Sequence, residues 1–201
     1  RAGGWPSLED APPVYVCRFC GRSQLGAEPG RCDGCGARSV TLQPIPTVFY
    51  TLPISVAEVL TTLAASGDEV VACLTGIDEG AADRGVWPAR EMLEHLLGSE
   101  AVFMGRIERV LTEDEPLLGS VPPDDITDDS AGAPTMATML AAFADRRAAS
   151  LARLRDVSPE AWQRAGHHPE FGRMTALDLA AYLTRHEQMH LPELEERRAG
   201  N

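Results

Sequence analysis

From Ile54 onward the hydrophobic positions fall at helical spacing in four long runs. Val56, Val59, Leu60, Leu63, Val70, Val71 and Leu74 form one apolar stripe between Ile54 and about Gly76, the i, i+3, i+4 recurrence of a helix with one face turned to a core. A second run starts at Pro88, which suits the first helical position because its missing N–H is unpaired there anyway. It carries Met92, Leu93, Leu96, Phe103, Ile107, Val110 and Leu111. A third spans Thr135 to about Val157, with Met139, Leu140, Phe143, Leu151 and Leu154. The fourth opens with Thr175 and Asp178, spaced as a capping box, and Met174 and Leu179 are placed as a hydrophobic staple. These runs predict a mainly α protein built on a four-helix bundle.

The connection between the second and third helices, about Asp114 to Pro134, is long, acidic and rich in proline. Bundle helices are mostly joined by ~2–8 residues, so this length calls for a crossover along the bundle. Extended, it reaches ~60 Å, against ~36 Å for a helix of this size. The second and third helices then run the same way, and the fourth runs antiparallel to the second.

Upstream the texture differs. Val14-Tyr15-Val16 and Ser39-Val40-Thr41-Leu42 are short β-type stretches, flanked by Pro- and Gly-rich segments. The expected organisation is a tail over 1–13, a small β unit over 14–42, a linker over 43–53 and the bundle over 54–201.

Four of the five cysteines lie in this small unit, as Cys17-x2-Cys20-Gly and Cys32-x2-Cys35-Gly. CxxC spacing lets two thiolates turn onto one tetrahedral Zn²⁺, and the following glycine permits the tight bend. Disulfides are the competing reading. The absence of a basic-then-apolar leader and of a thioredoxin-like βαβ context favours zinc. The segment resembles a zinc ribbon, and a site with four thiolates is structural because no coordination position stays open. Cys73, on the stripe of the first helix, is expected to be a buried, inert core residue.

Composition narrows the function classes. The chain has 201 residues, 44% hydrophobic and 24% charged, which is globular rather than disordered. No apolar run approaches the ~20 residues of a membrane helix, so the expectation is a cytoplasmic protein without membrane partners. All 18 basic residues are arginine, against 30 acidic ones, for a net charge of -12. That balance argues against nucleic-acid binding. The ribbon offers only Arg18, Arg22, Arg31 and Arg38, with Tyr15 and Phe19 as its aromatics, so a protein contact or simple stabilisation is expected of it. The abundance of Ala, Gly and Arg suggests a GC-rich bacterial source, and a first residue Arg1 in place of Met suggests a trimmed chain.

Five histidines are present. His186 and His190 form HxxxH on the fourth helix, one turn apart on one face, the spacing at which two imidazoles share a metal ion. His95 lies on the inner face of the second helix. With these helices antiparallel, all three fall at one level. Glu91 and Glu187 are candidates to orient an imidazole, although solvated helix-face carboxylates are the plainer reading. Arg185 could meet an anionic substrate, or be a surface arginine. His167 and His168, in the GHHPEFG loop before the fourth helix, could sit at the mouth of the site, but exposed loop histidines are the plainer reading and neither is counted as a ligand. Pro192 removes a backbone N–H two residues after His190 and is expected to kink or restart the helix, with Glu193, Glu195 and Glu196 in its new first turn.

From Ile54 to the end, the chain resembles the DinB-like (DinB/YfiT) superfamily of four-helix-bundle metalloproteins. WPAREMLEHLLGSE around His95 and HPEFGRMTALDLAAYLTRHEQMH around His186 and His190 carry the resemblance. It implies a long crossover between helices 2 and 3 and a divalent metal on His95, His186 and His190, with zinc, nickel or iron all suited to imidazole. Three imidazoles leave a position open for water or substrate, as catalytic sites do. Relatives include thiol-dependent transferases and isomerases that use mycothiol or bacillithiol, and iron-binding domains of sulfoxide synthases. The resemblance therefore implies a metal-dependent enzyme of the thiol-transferase or isomerase kind, acting on a small molecule, with a low-molecular-weight thiol as co-substrate. An iron-dependent oxygenase-like site is a minor variant. The alternative is a partner-binding module, in which the ribbon recruits a protein and the bundle is a scaffold with a vestigial or regulatory metal.

Overall fold

Each predicted helix forms, and each has a local start signal. The structure is a computed structural model that describes residues 13–20, 22–45, 54–85, 87–121, 134–169 and 171–199. Helix α1 (Val56–Leu74) starts at Ser55, whose hydroxyl accepts from the Glu58 N–H while the Glu58 carboxylate accepts from the Ser55 N–H. After a single turn, α2 (Glu79–Ala82), helix α3 runs from Ala89 to Thr112. Pro88 is extended at ψ 157° and stands one position outside α3 as its cap, not as its first residue. Helix α4 (Met136–Arg155) is capped by Thr135. Helix α5 (Ala176–Ala199) opens on reciprocal bonds between Thr175 and Asp178. Met174 and Leu179 are buried in one cluster, as the expected staple requires.

Side-chain pairs give the helix directions. Arg146 Nη1 donates to the Leu97 carbonyl at 2.7 Å, and Arg153 pairs with Glu108 at 2.6 Å. Higher numbers on α3 therefore meet higher numbers on α4, and the two helices run the same way. Phe103 stacks on Tyr182 while His95 meets His186, so α3 and α5 are antiparallel. Both α4 and α5 pack against α1 as well as α3. Two parallel neighbours joined in sequence need a crossover, and the stretch after α3 supplies its beginning. The Leu118 N–H donates to the His167 carbonyl, and the His167 N–H to the Pro116 carbonyl, both at 2.8 Å. Most of the rest of the predicted crossover, residues 122–133, lies outside the described residues.

That contact departs from expectation. Residues 165–175 are a hairpin and not a loop: β4 (Ala165–His168) pairs antiparallel with β5 (Gly172–Thr175). A Cβ on Gly166 would come within 2.7 Å of the Pro116 carbonyl oxygen, so glycine there lets the crossover lie against the hairpin. Pro116 and Leu118 point inward, and Leu117 is exposed.

The apolar interior is divided. One cluster takes Val59 and Leu63 of α1, Phe103 and Ile107 of α3, Leu151 and Leu154 of α4, and Leu179 and Leu183 of α5. The other takes Val70 and Leu74, Met92 and Leu96, Met139 and Phe143, and Leu194. Between them, each helix contributes to a buried polar layer of Ser66, Glu100, Arg147 and Glu187. Arg147 Nε donates to Glu100 Oε1 at 3.0 Å, and Nη1 donates to the Leu63 carbonyl at 2.6 Å and to Glu187 Oε1 at 2.8 Å. Nη2 reaches Glu100 Oε2 at 3.3 Å and also Glu187 Oε2. All five guanidinium N–H groups thus have acceptors, and Ser66 donates to Glu187. A Cβ at Gly67 would sit 2.9 Å from Arg147 Nη1, so glycine on α1 makes room for the guanidinium. Burial opposes the charge on Arg147, yet Glu187 and Glu100 hold it protonated well above the ordinary arginine range.

The N-terminal unit is a three-stranded antiparallel sheet ordered β2-β1-β3, from β1 (Val14–Cys17), β2 (Ser23–Leu25) and β3 (Leu42–Ile45). Its last strand lies further along than expected. Ser39–Thr41 is a 3-10 turn, and the strand extends into the start of the expected linker. Pro44 is tolerated because β3 is an edge. Of the expected tail over 1–13 and linker over 43–53, residues 1–12 and 46–53 lie outside the described residues.

Replacing Arg147 by Met leaves two buried carboxylates facing one another. The expected loss is ~3–5 kcal/mol of unfolding free energy in urea titrations, whereas breaking an exposed pair such as Arg109–Glu113 should leave the unfolding curve nearly unchanged.

Candidate metal centres

The two CxxC turns bring their sulfurs together across the ribbon. Cys17 Sγ lies 3.7 Å from Cys35 Sγ, and Cys20 Sγ 3.6 Å from Cys32 Sγ. All four sulfurs lie within 4.8 Å of one another. A disulfide would need ~2.05 Å, whereas zinc with bonds of ~2.3 Å spaces its four sulfurs ~3.8 Å apart. The donor set and its spacing therefore fit a closed tetrahedral ion. The thiols are prepared unequally. Burial opposes ionisation of Cys17, but the backbone N–H groups of Cys20 and Phe19 and the Thr41 hydroxyl pull its thiol down to about 6. Burial, with the neighbouring sulfurs, pushes Cys20 up to about 12. The described residues of the unit bury few side chains: Cys17, Cys32 and Leu42 form one cluster with Tyr15, Cys20 and Ala37 against it, and Val14 and Val16 of β1 are buried as well.

In the bundle, the antiparallel pairing of α3 and α5 brings three imidazoles to one point. His95 Nε2 lies 3.1 Å from His186 Nε2, which lies 3.2 Å from His190 Nε2. Imidazoles bound to one ion at ~2.0–2.1 Å would have nitrogens ~3.4 Å apart if tetrahedral, so the residues fit a shared cation. Burial, then the neighbouring His190 and His95, pushes His186 down to about 3. Its ring is neutral at physiological pH, the form in which imidazole is a ligand. The Nδ1 of His186 is buried without a hydrogen-bond partner.

Trp87 and Glu193 surround this point in ways the sequence pattern does not announce. Trp87 meets His95 and His190 edge-on, with ring centroids 5.6 and 5.1 Å away. Its φ of +58° is in the left-handed region that bulky residues avoid, and such strain concentrates at functional sites. The dipeptide Trp87-Pro88, just before a helix, was the available sequence signal. Glu193 Oε2 lies 2.8 Å from His190 Nδ1. Helix α5 runs through Pro192 without restarting, so Glu193 occupies the i+3 position of a continuous helix and not the first turn of a new one.

Other candidates move. Glu187 is no solvated carboxylate and orients no imidazole, because it is buried against Arg147 and Ser66. Glu91 is exposed, as the plainer reading had it. Arg185 is buried rather than at the surface, and burial pulls it down to about 10 against the field of Asp178 and Glu58. His168 is a buried strand residue stacked on Phe171, and His167 faces Glu115 at 3.2 Å. Cys73 is half-buried, packed against the second apolar cluster rather than fully inside it. It lines a cavity of about 400 Å³ with Thr75, Ile77, Asp78, Arg84 and Arg198, and none of the three histidines borders that space. Burial pushes the Cys73 thiol up, which agrees with an inert role.

If the four cysteines hold an ion, its chelation should unfold residues 14–45 and leave the helices intact, seen as loss of dispersion for those amides alone in ¹⁵N NMR. For His186 the sign is fixed by its depressed value. The unfolded chain gains a proton below the ordinary ~6.5, the folded one only near 3. Its contribution to stability is therefore full above ~6.5 and fades toward pH 3, by up to ~1.4 kcal/mol per pH unit. His186→Phe should flatten that slope in the protein free of bundle metal, measured by urea unfolding at a series of pH values.

A family model for the DinB superfamily matches residues 80–194, which include all three histidines and more than half of the chain. No curated protein matches the sequence. Among solved structures, the fold is similar to that of YfiT from Bacillus subtilis, with a TM-score of 0.64 and 19% identity over 74% of this chain and 90% of that one. That protein is reported as a probable metal-dependent hydrolase with an unusual four-helix bundle topology. At this identity the likeness is one of fold, and it agrees with the parallel placement of α3 and α4. Family match and bundle topology coincide on the same helices: the chain belongs to the DinB superfamily.

Proposed function

We propose that the protein is a metal-dependent enzyme acting on a small molecule, with His95, His186 and His190 as ligands of a divalent ion and a low-molecular-weight thiol of the mycothiol type as co-substrate. The observation that carries this reading is the convergence of three imidazole Nε2 atoms within 3.1–3.2 Å steps, with one of the rings held neutral by burial. When bound, a zinc, nickel or iron ion there supplies a Lewis acid that lowers the pKa of a coordinated water or thiol. The chain's own part is to present three imidazole nitrogens, with no fourth protein ligand among the described residues, and to set the Trp87 ring against His95 and His190. Transfer or isomerisation through the thiol follows from the family resemblance. Hydrolysis, the reaction type of a probable metal-dependent hydrolase such as YfiT is reported to be, would need water in place of the thiol at the same position.

A second reading has support in the ribbon. The β1–β3 register pairs Cys17 with Leu42, and the Arg18 N–H continues it to the Thr41 carbonyl at 2.8 Å. The next positions, Phe19 and Val40, are 80% and 86% exposed. An outward apolar pair on a metal-braced turn is the kind of anchor a protein partner uses, with the bundle then serving as a scaffold.

Elemental analysis decides between these. The enzyme reading expects two ions per chain, falling to one in the double variant His186→Ala, His190→Ala, together with thiol-dependent turnover of an electrophile that the same variant loses. One ion per chain, with no second taken up on titration, favours the scaffold. Turnover of an ester or amide without thiol would make the protein a hydrolase.

A further inference from the structure

The two imidazoles of α5 are not equally supported, and the difference points to one residue. His190 is the most enclosed of them, at 7% exposure. Its ring meets Trp87, His95 and His186 nearly edge-on, at centroid distances of 5.1, 5.2 and 4.6 Å. A neutral imidazole has one N–H and one lone pair, and the bond made by one nitrogen decides the task of the other. Glu193 Oε2 stands 2.8 Å from Nδ1. A carboxylate only accepts, so this contact puts the proton on Nδ1 and leaves the lone pair on Nε2, the atom 3.2 Å from His186 Nε2.

We infer that Glu193 is a positioning residue of the three-histidine centre: it holds His190 as the Nδ1–H tautomer and turns its Nε2 lone pair to the point where the other two Nε2 atoms meet. The carboxylates expected in this part are occupied or absent from it. Glu187 is bonded to Arg147 and Ser66, and Glu91 is exposed. Among the described residues His186 has no such partner on its Nδ1, so the two imidazoles of α5 are anchored differently. Pro192 lies between the two residues, yet α5 is continuous through it, which keeps Glu193 one turn from His190 on the same face. A carboxylate behind a ligating imidazole also strengthens it as a donor. That last consequence rests on the metal reading above, whereas the tautomer does not.

The test uses the full chain with its ribbon zinc and no bundle metal. Long-range ¹H–¹⁵N spectra of the histidine rings report which nitrogen of His190 is protonated. The expectation is Nδ1–H in the wild type and in Glu193→Gln, whose amide oxygen can still accept, and loss of that preference in Glu193→Ala. Zn²⁺ titration against a competing chelator then reads the second consequence, a ~10–100-fold weaker bundle site in Glu193→Ala and a smaller loss in Glu193→Gln. An Nε2–H tautomer in the wild type overturns the inference, as does an unchanged tautomer in Glu193→Ala. If the wild type takes up no second Zn²⁺ while the His190 tautomer still follows residue 193, the metal reading fails and the positioning role stands.

Discussion

Arg147 ties the bundle together at mid-height. Its guanidinium draws acceptors from three other helices: the Leu63 carbonyl of α1, Glu100 of α3 and Glu187 of α5. A buried cation with every N–H matched tolerates no sliding of one helix past another, since a displacement of one turn would strand charges in an apolar medium. Apolar contacts on either side are less particular, because many registers bury similar area. The polar layer thus specifies the register, and the two apolar clusters stabilise whatever register it selects. Gly67 belongs to the same device, since any side chain there would enter the space of Arg147.

The three-histidine centre depends on that register. Glu187 is clamped in the layer, and His186 precedes it on the same helix. One turn of slip between α3 and α5, about 5.4 Å, would carry His95 out of reach of His186 and His190. The crossover serves the same end from another direction, by letting α3 and α4 run parallel so that Arg147 and Glu100 meet while α5 stays antiparallel to α3. The Pro116–Leu118 stretch, bonded to β4, secures the first part of that route.

The two donor clusters stand in different relations to their surroundings. In the ribbon the interior is small, with two of the four clustered cysteines buried beside Val14, Val16 and Leu42, and in a unit of that size binding of an ion by the sulfurs would be coupled to folding. In the bundle the helices pack around a polar layer that is complete without a metal, and the imidazoles meet at the edge of an interior that already exists. Four sulfurs would fill a tetrahedral ion, whereas three imidazoles would not.

Much of this was legible along the chain. Helical periodicity located all four long helices, the Thr175–Asp178 spacing located the start of α5, and the length of the acidic connection implied the parallel pair and hence the meeting of His95 with His186 and His190. CxxC spacing located the sulfur cluster. These features are local or follow from chain reach, and residue spacing encodes both. The remainder depended on which residues from distant segments face each other. Glu187 reads as a helix-face carboxylate until Arg147, 40 positions earlier in the chain, is seen beneath it. His168 reads as a loop residue until the crossover pairs with its strand. Glu193 was placed beyond a break at Pro192 because a proline's missing N–H is a local cost, and surrounding packing holds the helix through it. Burial and partner identity are properties of the packed interior, so Trp87 and Glu193 acquire their places beside the imidazoles only once α3 and α5 are docked.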